Sequence, residues 1–271
     1  QEELDAIQAV SQHSTTYLVP RMAVYWGDYT QIENELLLFD YASQKDDYAM
    51  YHLLSGVDLP LATPEKIYQF FADKTDKIFI TRFNQDEFRD LKLHKLVEQY
   101  HLTTKISART LSTPARKLLR AYRILENKVQ SLLKIDRLHG NREKWGLDSY
   151  ANWKSIGPDV IKAILDDRAF IEKHFRKSFC ADELYLPMVL TRARLIEHIY
   201  HYEPVTDIPG ELQGNLRYIN WWDGHPYEWT DSAHDLAQLD VGIATGHLFS
   251  RKFNTEKYPG IKDYILEKTQ A

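Results

Sequence analysis

The sequence predicts an α/β fold, a mostly parallel sheet flanked by helices, on three observations. Short segments rich in β-branched and aromatic residues alternate with segments of helical periodicity, the pattern of parallel βα units. One strand-like run, "YAMYHLLSG", is apolar nearly throughout, as suits a strand covered on both faces. The 271 residues are 44% hydrophobic and 27% charged, enough apolar material for a substantial core. No internal repeat and no Gly/Ser/Pro-rich linker interrupts the chain, so residues 1–271 read as a single domain.

The elements follow in order. "TTYLVP" and "MAVYWG" read as strands. "YTQIENELLLFDYA" has helical spacing at Ile32, Leu36 and Phe39, with Leu37 a further candidate. After the apolar strand, "DLPLATPEKIYQFFADK" reads as a turn and a helix, with Thr63 as N-cap and Pro64 at the first helical position. "KIFITRF" reads as a further strand. Residues 113–137 form a long amphipathic helix, again opened by Thr-Pro. Its apolar stripe runs through Leu118, Leu119, Tyr122, Leu125, Val129, Leu132 and Leu133. Its polar face carries Arg116, Lys117, Arg120, Arg123, Lys128, Lys134 and Arg137 against Glu126 and Asp136. "GPDVIKAILDDRAFIEKHF" reads as one helix, "NLRYINWW" as a strand, "HPYEWTDSAHDLAQLDVG" as turn plus helix, and "HLFSRKF" as a short segment.

Composition excludes several classes. The formal charge is −5, from 34 basic and 39 acidic residues, and no basic excess points to nucleic acid. The lone cysteine, Cys180, forms no intrachain disulfide and builds no Cys-ligated zinc site. No apolar run approaches the roughly 20 residues that cross a bilayer, and the first ten residues lack the order of a signal peptide. A cytoplasmic location is the expectation. Seventeen tyrosines and six tryptophans suit carbohydrate recognition, where rings act as apolar platforms with polar edges, and equally suit an aromatic core. Phosphate-binding glycine loops, the H-E-x-x-H zinc motif, the G-x-S-x-G elbow and a strict Asp-x-Asp are all missing.

Local motifs remain. "FCADELYLPMVL" sets Asp182 and Glu183 before an apolar helix. They read as N-terminal helix acids, with Asp182 the N-cap, or as a site at which one of them does chemistry. Asp58 follows a Ser-Gly turn after a strand, where it either accepts hydrogen bonds from sugar hydroxyls or stabilises its own turn. Arg217 lies beside a dense aromatic run, and Arg251 and Lys252 stand between two phenylalanines. Together these cations suit an anion clamp.

The ordered set "YHLLSGVDLPLATPEKIYQFF", "ADELYLPMVL", "NLRYINWWDGHPYEWT…D" and "LFSRKFN" resembles the core-2/I-branching β-1,6-N-acetylglucosaminyltransferase family, which includes the peptide O-xylosyltransferases, with the bacterial branch the nearer match. The resemblance implies a GT-A-like fold and an inverting, metal-independent enzyme that needs no cofactor beyond its UDP-sugar donor. Its residue carry-over makes Glu183 the catalytic base, and makes Arg217 and Lys252 contacts to the donor diphosphate, with Arg251 a further candidate. "NWKSIGPDV" supplies Trp153 to the same cleft, and "WGDYTQIENEL" supplies Glu35 and Trp26 near the nucleotide. Asp58 and Asp182 are further substrate-binding candidates. The family usually begins with a strand–helix–strand unit before the point where this sequence starts, so that unit is expected to be missing here.

The chemistry fits these residue types. A sugar hydroxyl is a poor nucleophile, and a carboxylate that takes its proton as the new bond forms speeds attack by roughly 100- to 10,000-fold. Without a metal, fixed cations must stabilise the departing diphosphate. The partners expected are a UDP-sugar that donates N-acetylglucosamine, with UDP-xylose, UDP-galactose and UDP-glucose the other donors open, and an oligosaccharide or lipid-linked glycan acceptor in surface polysaccharide synthesis. The basic, apolar helix at 113–137 suits peripheral contact with an anionic membrane, or a place in the domain with its basic face solvated. A carbohydrate-binding or inactive relative and a glycoside hydrolase are the alternative readings. The hydrolase would need a second carboxylate roughly 5–10 Å from Glu183.

Overall fold

A computed structural model of the chain describes residues 14–224 and 227–270. The opening residues 1–13 and the His225–Pro226 part of the expected turn lie outside the described residues. The elements are α1 (Thr30–Ser43), β1 (Tyr51–His52), β2 (Asp58–Pro60), α2 (Pro64–Ala72), α3 (Gln85–Asp90), α4 (Lys95–Glu98), α5 (Thr113–Leu132), β3 (Ser155–Ile156), α6 (Pro158–Asp166), α7 (Arg168–Phe175), α8 (Tyr185–Ala193), β4 (Arg217–Ile219), α9 (Ala233–Thr245), β5 (Phe249–Arg251) and α10 (Pro259–Gln270).

The α/β class holds, but the expected mostly parallel sheet does not. Among the described residues there are two small sheets. In the first, β1 and β3 are antiparallel, with Tyr51 opposite Ile156. In the second, β5 lies between β2 and β4, antiparallel to β2 and parallel to β4. "KIFITRF" contributes only isolated bridges at Ile78, Phe79 and Arg82. "TTYLVP" and "MAVYWG" form no strand, and most of their side chains are exposed. Strand preference measures fit to a pleated, half-buried surface, and these residues have no such surface to join.

The helices follow their local signals more closely. Thr63 caps α2 by accepting the Lys66 amide at 3.2 Å, and Pro64 opens that helix. The expected single helix over "GPDVIKAILDDRAFIEKHF" is two, α6 and α7, parted at Asp167, whose carboxylate holds Arg192 at 2.7 and 3.0 Å. α1 turns Ile32, Leu36 and Phe39 inward against α6 and α8, and with Ile161, Ile164, Phe175, Tyr185 and Met188 they build the main core. A second core gathers Leu61, Tyr218, Trp229, Leu239, Phe253 and Ile261 around β4, α9 and α10. α9 rests directly on the Tyr218 ring: a Cβ at Gly242 would stand 2.5 Å from it, so only glycine fits there.

Candidate active site

A cleft of about 550 Å³ opens where the two cores adjoin, a size within the range of about 300–1,000 Å³ typical of small-molecule sites. From the first core's side come Trp26, Gln31, Asp182 and Glu183. From the second come Ile219, Trp221, Tyr227, Arg251 and Lys252. Ala151, Asn152 and Trp153, on the approach to β3, complete the lining with Phe83 and Arg109.

The acids are placed by a chain of backbone contacts. The Phe179 amide donates to Leu96 O at 3.0 Å and the Cys180 amide to Gly27 O at 2.9 Å. Cys180 then turns through the left-handed region (φ 48°), and Ala181–Glu183 form a single 3₁₀ turn before α8. Neither acid caps that helix: its N-cap is Leu184, with no side-chain capping bond. Asp182 instead accepts from Gln31 Nε2 at 3.1 Å, and Gln31 Oε1 in turn accepts the Gly27 amide. Gly27 has φ +74° and packs so closely on the Phe179 ring that a Cβ would lie 2.5 Å from it, which fixes the turn carrying Trp26 beside the acids. The Trp26 and Phe179 rings meet edge to face at 5.6 Å.

Burial dominates the ionisation of the pair. Glu183 is pushed up to about 8, first by desolvation and then by the neighbouring Asp182 and Glu87 carboxylates. Asp182 is pushed up to about 6 by desolvation, with a backbone hydrogen bond and Lys154 acting in the opposite sense. A helix dipole favouring the ionised form is therefore not the controlling influence on Glu183. Burial pushes the Cys180 thiol up to about 12, which keeps it protonated at neutral pH.

The cations come from β5 and its continuation. The β2–β5 register sets Asp58 directly opposite Arg251. The Arg251 guanidinium lies 3.2 Å from Asp58 Oδ1 and 4.1 Å from the centre of the Trp153 ring. Lys252 follows at once, its carbonyl accepting the Trp229 amide at 2.9 Å, while Phe253 N donates to Val57 O at 3.0 Å. These bonds hold the Lys252 backbone on both sides at the cleft.

Three expectations need correction. Asp58 does not present its carboxylate to a ligand: its side chain is fully buried, accepts Ser55 N and Ser55 Oγ at 2.8 Å each, and pairs with Arg251. Glu35 is not at the cleft either. It lies on the inner face of α1, 3% exposed, where Lys154 and Tyr185 OH both donate to its Oε1. Arg217 is the third. It is wholly buried and donates to Ser155 Oγ at 2.7 Å, Lys154 O at 2.8 Å, Leu53 O at 3.3 Å and Asn215 O. Burial lowers its pKa to about 9, against the attraction of Asp58. Arg217 thus rivets β4 to the β1–β3 sheet, with no face toward the cleft.

Other lining residues escaped the sequence reading. Gln31 looks like an ordinary helix-surface amide. Arg109 sits in a 3₁₀ turn, Ala108–Thr110, within a stretch without periodicity. Tyr227 belongs to the quoted "YEWT…D" motif, and its logic is visible in the structure. The buried Asp235 accepts Tyr227 OH at 2.9 Å and the Thr230 amide and hydroxyl at 2.7 Å each, fixing Tyr227 at the cleft.

Two comparisons bear on this geometry. No curated protein matches the chain. A family model described as core-2/I-branching enzyme matches residues 1–241. β5 and Lys252 lie past the matched stretch, yet β5 pairs with β4 inside it. The chain therefore belongs to the core-2/I-branching enzyme family, a family of glycosyltransferases.

Proposed function

We propose that the cleft binds a UDP-sugar and that the protein transfers its sugar, N-acetylglucosamine, with inversion and without a metal, to a glycan hydroxyl in bacterial surface polysaccharide synthesis. The observation that carries this reading is one cleft shared by a carboxylate of raised pKa, Glu183, and the cations Arg251 and Lys252. The aromatic lining, Trp26, Phe83, Trp153, Trp221 and Tyr227, offers stacking faces for a base or sugar. The choice of N-acetylglucosamine follows the family resemblance.

In this reading the acceptor oxygen attacks the anomeric carbon as its proton passes to the Glu183 carboxylate. The bond from the anomeric carbon to the phosphate oxygen breaks on the opposite face, and UDP leaves with the electron pair. Lys252 meets the charge that develops on the pyrophosphate. Arg251, already balanced by Asp58, supplies directional donors more than net charge, and Arg109 adds a further cation at the cleft. Among the described residues no three His, Cys, Asp or Glu side chains group as metal ligands. That no metal takes part follows the family resemblance, and in this reading the fixed cations stabilise the leaving diphosphate.

Isothermal titration with UDP, followed by a UDP-sugar turnover panel, tests the reading. UDP is expected to bind in excess EDTA, and Lys252→Ala to weaken that binding by roughly ten- to a hundredfold, as loss of a charge-assisted hydrogen bond implies. Turnover lost in EDTA and restored by manganese would overturn the metal-free step. Wild-type turnover by Lys252→Ala would remove that residue from it.

A further inference from the structure

The helix α5 is turned inside out. Three of its polar side chains turn to the protein: Arg123 Nε donates to Thr103 Oγ1 at 2.9 Å, Arg116 Nε to Ala108 O at 3.0 Å, and Gln130 exchanges two hydrogen bonds with the Tyr100 backbone at 2.7 and 2.8 Å. Only Leu119 and Gln130 are buried. The apolar stripe expected from the sequence consequently faces outward. Leu118, Tyr122, Leu125, Val129, Leu132 and Leu133 are all exposed, Leu118 by 73% and Leu132 by 82%. Their spacing along the helix puts them on one continuous face over about four turns.

Charge decides what covers that face. Residues 105–134 carry eight basic residues and one acid, Glu126, in a chain whose net charge is −5. A second copy seated helix to helix would oppose two strongly basic faces. An anionic bilayer accepts both features at once, apolar side chains among its acyl chains and lysines at its headgroups. No helix among the described residues is long and apolar enough to cross a membrane. We infer that α5 lies in the plane of an anionic lipid surface, with Leu118, Leu125 and Leu132 inserted and Lys117 and Lys128, which flank that stripe, at the headgroups. This surface is distinct from the cleft, and the inference does not depend on the proposed donor.

Flotation of the full chain with phosphatidylcholine vesicles, with and without phosphatidylglycerol, tests it. The protein is expected to float with the phosphatidylglycerol vesicles and to be released as salt rises. Lys117→Gln with Lys128→Gln should weaken binding by roughly thirtyfold. Leu125→Asp with Leu132→Asp, both at exposed positions, should abolish co-flotation while helicity and UDP titration stay as in the wild type. No co-flotation with phosphatidylglycerol vesicles, or flotation retained by the leucine variant, would overturn the inference. So would a wild-type dimer in sedimentation, without lipid, that the leucine variant dissolves.

Discussion

Glu183→Gln is expected to lower sugar transfer by roughly 100- to 10,000-fold while making the protein more stable. The amide keeps the shape of the side chain but cannot accept a proton from the acceptor hydroxyl. Its effect on stability follows from the raised pKa. Glu183 moves from 4.5 to about 8 on folding, chiefly through desolvation. The folded state therefore binds the proton more tightly than the unfolded state. The stabilisation that this proton provides is complete below about 4.5 and is lost as pH rises through about 8. A neutral amide has no such dependence. Urea unfolding should show Glu183→Gln gaining on the wild type across that window, by on the order of 5 kcal/mol at its alkaline end. Equal pH dependence in the two proteins would show that the carboxylate is not held in a desolvated site. The same shift predicts the wild-type rate profile, with turnover climbing as pH rises toward about 8 because the base must be ionised to act.

Arg217→Ala is the second large effect, and its kind matters more than its size. A residue holding the donor diphosphate would, when truncated, leave a folded protein with weak UDP binding. A buried rivet behaves otherwise. Removing the guanidinium leaves the carbonyls of Leu53 and Asn215 without their donor and takes one of two partners from Ser155 Oγ and from the Lys154 carbonyl, beside a cavity between the two sheets. The expected destabilisation is about 3–5 kcal/mol, with Arg217→Lys recovering only part because a single ammonium cannot span four acceptors set for a planar fork. Denaturant unfolding decides between the two roles. A stable Arg217→Ala protein deficient only in UDP affinity would return Arg217 to the donor site.

These residues also show what the sequence made legible. The stripe Ile32, Leu36 and Phe39 placed α1 correctly, and it contained the signal against Glu35 as a ligand contact. Three residues after Ile32 and one before Leu36, Glu35 falls on the same inner face, where Lys154 meets it. Arg217 carried a similar warning, since it stands in the mostly apolar segment "NLRYINWW", and all three residues of β4 are buried. The cap at Thr63 and the segments that became β4, β5 and α9 were readable because their determinants are local. The sheet was not readable, since ladders depend on which distant backbone arrives alongside, and β1 and β3 pair across about a hundred residues. α5 was read as an amphipathic helix over 113–137, and it is one, ending at Leu132. Which face it turns to the protein depended on hydrogen bonds from Arg123 and Gln130 to the 100–106 segment, which periodicity does not report.

At the candidate site the acids, Trp26, Trp153, Arg251 and Lys252 came together as a cleft from segments far apart in the sequence. Their resemblance to a known motif set named them; helix and strand patterns alone did not. Gln31, Arg109 and Trp221 became visible only once the chain was folded.

The central claim is that UDP lies between the Glu183 carboxylate and the Lys252 ammonium. A crystal structure of the protein soaked with UDP tests it most directly. The pyrophosphate should lie within hydrogen-bond reach of Lys252 Nζ, with Glu183 facing the vacant position of the sugar. A nucleotide bound away from this cleft, or one that meets neither side chain, would contradict it.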